Sequence, residues 1–167
     1  MFSAVNRWIA PIILLISTFA SVLAPFVAHS LTYREAVAHM KYGLWLFAVS
    51  VCFAVAVFFA APWIVEVFLG AEYSASVEIL RVLAIVAVPS MVSQVILVAL
   101  QSLGAERYVA VVWLIGVTVQ LALVVSLGAI AGGLGAAWAM LVVEVFFAAF
   151  FLFRFLRAFR NERPKSR

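Results

Sequence analysis

The sequence predicts an all-α fold, a polytopic membrane bundle of about five transmembrane helices, and three observations point to it. Of 167 residues, 68% are hydrophobic and 11% charged, against roughly 45–50% and 25% in soluble domains. Uncharged apolar stretches long enough to cross a bilayer recur along the chain. The joints between them alternate in Lys/Arg content. A water-soluble chain of this size needs polar residues to cover its surface, so lipid must serve as solvent for much of this exterior.

A span takes about 20 apolar residues to cross about 30 Å of hydrocarbon. The runs at 8–28, 42–69 and 79–101 each suffice. From Tyr108 to Phe153 the only acidic or basic side chain is Glu144, and the stretch is about twice the needed length. It must fold back, and the glycines of Gly128-Ala-Ile-Ala-Gly132-Gly133-Leu-Gly135 permit the turn. The last two spans are therefore expected at 108–128 and 133–153, followed by a basic tail, 154–167.

Direction follows from charge. Arg154, Arg157, Arg160, Arg163, Lys165 and Arg167 crowd the tail, and basic residues directly after an apolar span mark the cytoplasmic side and face anionic lipid. The His29–Lys41 and Ser102–Arg107 joints, which carry bases, then fall inside. Gly70–Glu78, with Glu72 and Glu78 and no base, falls outside with Gly128–Gly133. An odd number of spans puts Met1 outside, against the vote of Arg7. Two accounts fit: a cleaved signal peptide running from Arg7, or a chain that continues a longer protein.

An ionisable group inside the membrane costs a few kcal/mol against lipid, so each is a functional candidate. Glu144 is the clearest, either bonded to a neighbouring helix or lining a transport path. Glu66 and Arg81 lie near span ends, where long side chains reach the interface. The third span holds Pro89-Ser-Met-Val-Ser93-Gln94, where proline removes a backbone hydrogen bond and predicts a kink. Ser90, Ser93 and Gln94 are placed to serve the freed groups or a cavity. Gln120 does likewise in the fourth span, as do Ser17, Thr18 and Ser21 in the first. The candidate substrate path is thus Glu144, Gln94, Gln120 and Ser93.

Catalytic and metal constellations are absent, which argues against an enzyme. His29 and His39 have no cysteine or carboxylate at metal-ligand spacing. The lone Cys52 forbids an intrachain disulfide and reads as a small buried hydrophobe. The glycine cluster lacks the strand and the Lys-Ser/Thr of a phosphate loop. No cofactor is implied, and the basic tail reads as a membrane anchor rather than a nucleic-acid site.

Three stretches resemble the carboxy-terminal half of the bacterial polysaccharide flippases, in the superfamily of multidrug/cation (MATE-type) antiporters and lipid II flippases. Phe68-Leu-Gly-Ala-Glu-Tyr73 with Ile79-Leu-Arg-Val-Leu-Ala84 is similar to the family's Phe-Gly-x-x-Tyr joint and the following Leu-Arg-x-Leu. Leu100-Gln-Ser-Leu-Gly104-Ala-Glu-Arg107 resembles its Leu-Gln-Ala-Leu-Gly-Arg-x-Arg joint. Gly132-Gly-Leu-Gly-Ala-Ala-Trp-Ala139 is similar to its Gly-x-x-Gly-Ala-Ala turn. Leu-Ala-Pro25-Phe loosely matches a Phe-Pro element.

The resemblance implies alternating access by two bundles around a polar cavity, about twelve to fourteen spans in all. Its substrate would be an oligosaccharide on a polyprenyl pyrophosphate, moved across the bacterial cytoplasmic membrane. This chain would supply the later spans, with an amino-terminal bundle as partner beside the membrane lipids. Alternatives are a drug/cation antiporter, with Glu144 as its acid, and a small scaffold that binds helices and transports nothing.

Overall fold

The computed structural model describes residues 33–68 and 70–161, with side chains over 47–68, at 70 and over 72–160. The expected first span, with Ser17, Thr18, Ser21 and Pro25, lies outside the described residues, as does the tail beyond 161. Within them every regular element is helical: α1 (Tyr33–Phe68), α2 (Ser76–Ser102) and α3 (Glu106–Asn161), with a 3-10 turn at Ala71–Tyr73. Phe47–Phe68, Ser76–Ser102 and Glu106–Arg160 are long and apolar enough to cross a membrane.

Helix α1 begins at Tyr33, nine residues before the apolar run that starts at 42. Arg34, Glu35, Ala36, Ala38, Met40 and Lys41 are good helix formers with no breaker among them, so the polar joint is itself helical there. The helix also runs on through Pro62. Helix α2 likewise passes Pro89 unbroken, and the expected kink is not a break in the helix.

The joint between α2 and α3 is a Schellman motif. Gly104 has φ 78°, a left-handed value that glycine adopts without a β-carbon clash. Its N–H donates to the Gln101 carbonyl at 3.0 Å, and the Ala105 N–H to that of Leu100 at 2.9 Å. Two carbonyls at the helix end are thereby satisfied within three residues.

At 1.5 Å per residue, the 56 residues of α3 would reach about 84 Å if straight. They do not. Gly132 has φ 60° and ψ −137°, a conformation closed to residues with a side chain. The arms 106–131 and 133–161 fold against each other: the Trp113 and Phe147 rings stack at 5.6 Å, and the Tyr108 hydroxyl donates to the Phe150 carbonyl at 3.1 Å. The reversal is sharper than the glycine-rich stretch suggested, for of Gly128, Gly132, Gly133 and Gly135 only Gly132 has a left-handed φ. Small residues let the arms approach closely. A β-carbon on Gly135 would overlap the Leu127 carbonyl, and one on Gly116 the Phe147 ring.

Helix α2 is the centre, packed between α1 on one side and α3 on the other, which barely touch each other. Near its start, Val82 and Leu83 pack with Ala137, flanked by Ile79, Leu134 and Leu141. Near its end, Ile96 and Leu100 join Val143, Phe147, Phe151 and Phe155, with Val109 and Val112 from the first arm. Contacts advance together along α2 and the second arm, so these run parallel, with the first arm antiparallel to both. The Gly132 turn thus shares an end with the Ala71–Tyr73 turn. The Ser102–Glu106 joint shares the other end with Arg154–Arg160.

Among the described side chains of α1, Ala54, Ala61 and Val65 are buried, spaced for one helix face. Cys52 lies two residues before Ala54, about 200° around the helix, and is exposed. The expectation of a buried cysteine is therefore corrected. Large apolar side chains cover the outer surface, among them Phe59 at 76% exposure, Leu114 at 71% and Ile130 at 83%. Such continuous apolar exposure is rare on water-soluble monomers.

Candidate functional site

Residues midway along two apolar helices form a polar cluster. Ser93, buried on α2, has its hydroxyl 3.2 Å from Glu144 Oε2 on the second arm, 51 residues away in sequence. Ser90, three residues before Ser93 on the same side of α2, is buried close to this carboxyl. The same Ser93 hydroxyl lies 2.9 Å from the Ser90 carbonyl, so its single hydrogen has two acceptors in reach. An ionised Glu144 accepts from the Ser93 hydroxyl, while a protonated one donates to Ser93 Oγ. Either form finds a partner, which is what a group that changes protonation inside an apolar bundle requires.

The cluster has its position from the parallel packing of α2 and the second arm, which aligns Ser90 and Ser93 with Glu144. Ser90 and Ser93 are the buried polar residues of the described core. Pro89 sits directly before them. Having no N–H, it leaves the Ile85 carbonyl without its helical donor, which adds a polar atom one turn away.

The other two path candidates do not join the cluster. Gln94 looks into a separate open groove of about 510 Å³ between α2 and the first arm, lined also by Leu97, Gln101, Glu106, Val109, Ala110 and Trp113. Gln101 and Glu106 were not singled out from the sequence; their spacing from Gln94 across a joint gave no signal until the joint's geometry was known. Gln120 is half-buried on the first arm, and its side chain makes no hydrogen bond among the described residues. Ser93 and Glu144 are brought together; Gln94 and Gln120 are not.

Near the other end, Arg81 pairs with Glu78 at 2.7 Å and lies over the Phe58 ring at 5.4 Å. Its Nε is buried without a partner. Among the described residues no group of His, Cys, Asp and Glu side chains converges to hold a metal ion. In comparisons with known proteins, no family model, no curated protein and no solved structure matches the chain.

Proposed function

We propose that this chain is a five-span bundle in a bacterial cytoplasmic membrane that forms one half of an alternating-access transporter. The Ser90–Ser93–Glu144 cluster carries the reading. An ionisable group at the middle of two otherwise apolar helices is a costly arrangement that membrane proteins keep mainly at ion or substrate paths. In this reading Glu144 lies on the path, Ser93 and Ser90 respond to its protonation, and Pro89 gives α2 a weak point at the same depth. The carboxy-terminal end is cytoplasmic because the bases cluster there.

The substrate class rests on the resemblance of Phe68–Tyr73, Leu100–Arg107 and Gly132–Ala139 to polysaccharide flippases: a polyprenyl-pyrophosphate-linked oligosaccharide moved outward, with a second bundle as partner. The test is deletion of the gene, then complementation with wild type or Glu144→Gln. The account expects lipid-linked oligosaccharide to accumulate on the inner leaflet in the deletion, with rescue by wild type and not by the inserted variant. Normal surface glycan in the deletion strain contradicts the substrate assignment. Full rescue by Glu144→Gln removes the cluster from the path.

A further inference from the structure

The two ends of the bundle differ in charge. Beside the Gly132 turn, the described charges are Glu66, Glu72 and Glu78 with Arg81. At the other end, among the residues whose side chains are described, Arg107, Arg154, Arg157 and Arg160 outnumber the acid Glu106. A basic tail in general attracts anionic lipid diffusely. Here part of it is built into the fold.

The second arm stays helical to Asn161, so Arg154, Arg157 and Arg160 are fixed along one helix, each step rising about 4.5 Å over an arc of about 120° in all. The innermost is held. The Arg154 guanidinium lies 5.7 Å from the centroid of the Tyr108 ring, and Tyr108 is itself tied to the second arm through the Phe150 carbonyl. Arg157 and Arg160 are exposed and have no carboxylate within salt-bridge reach among the described residues. Phe153, 64% exposed, lies four residues before Arg157 and so below it on the same face. The order along this face is an exposed aromatic ring, then guanidinium groups about one and two helical turns further toward the end of the helix.

We propose that this stripe is a binding site for an anionic phospholipid, with Arg157 and Arg160 on the phosphate, Arg154 at its inner edge and Phe153 against the acyl chain. The lipid is a bound component of the protein and is not transported. Planar guanidinium forks suit phosphate oxygens, and the surrounding apolar surface matches the lipid tail. The site is independent of the Glu144 cluster, so either proposal survives failure of the other.

The experiment is lipid retention by the purified full chain in nonionic detergent, read by native mass spectrometry. The probes are phosphatidylglycerol and phosphatidylethanolamine of matched chains, with inorganic phosphate as a third arm. Phosphatidylglycerol should be retained over phosphatidylethanolamine, each arginine contributing about fivefold, and free phosphate should not compete at millimolar concentration. The triple variant R154Q/R157Q/R160Q should lose the preference and Arg81→Gln should keep it. The single variant Arg157→Gln, at an exposed position without a described partner, should lose about fivefold with unchanged helix content. Equal retention of the two lipids, undiminished preference in Arg157→Gln, or displacement by free phosphate overturns the proposal.

Discussion

Ser93 Oγ stands 3.2 Å from Glu144 Oε2, and this contact joins α2 to the second arm of α3 by polar groups at the depth where both are otherwise apolar. Hydrogen bonds between membrane helices average about 0.6 kcal/mol and reach about 1.7. Ser93→Ala should therefore destabilise the bundle by about 0.5–1.5 kcal/mol, and a double-mutant cycle with Glu144→Leu, which removes both carboxyl oxygens, should give non-additive values. Reversible unfolding in mixed micelles measures this; additive effects would mean that the two side chains do not interact.

The turn at Gly132 depends on a backbone conformation, whereas Gly128 is helical with open space around its α-carbon. Gly132→Ala should cost about 1–3 kcal/mol, and Gly128→Ala should be neutral or stabilising by up to about 1 kcal/mol. Thermal unfolding of the two variants side by side decides it. Equal effects would place the reversal elsewhere in the glycine stretch.

Gly116 lies beneath the Phe147 ring, leaving no room for a β-carbon. Gly116→Ala should destabilise by about 1–3 kcal/mol through overpacking. Trimming the ring with Phe147→Leu should recover part of that loss, although Phe147→Leu alone is destabilising. The same unfolding assay reads all three variants, and no recovery in the double variant would contradict the close approach of the arms.

Element identity was legible in the sequence because it rests on length and composition. The apolar run from Tyr108 to Phe153 was too long for one crossing, and Gly132 within it does reverse the chain. The Ser102–Arg107 joint was read from its charges, whereas the helix ends there because Gly104 takes the left-handed position after it. Facing was not legible. Helix α2 is apolar nearly all round, so its sequence carries no phase to show that Ser93 looks toward the second arm while Gln94 looks into the groove. Cys52 was misread for the same reason, because an apolar neighbourhood signals burial in water and signals nothing where the outside is also apolar. The helical start at Tyr33 was hidden by its charges, which mark the end of an apolar run and not the end of a helix.

The central claim is that the chain crosses a membrane repeatedly, with the acidic and arginine-rich ends on opposite faces. With Cys52 replaced by alanine, single cysteines at Glu72, Ala129 and Arg157 can be labelled in intact cells with a membrane-impermeant maleimide. Cysteines at 72 and 129 should react from outside, and that at 157 only after the membrane is opened. Labelling of positions 72 and 157 from the same side would contradict the account.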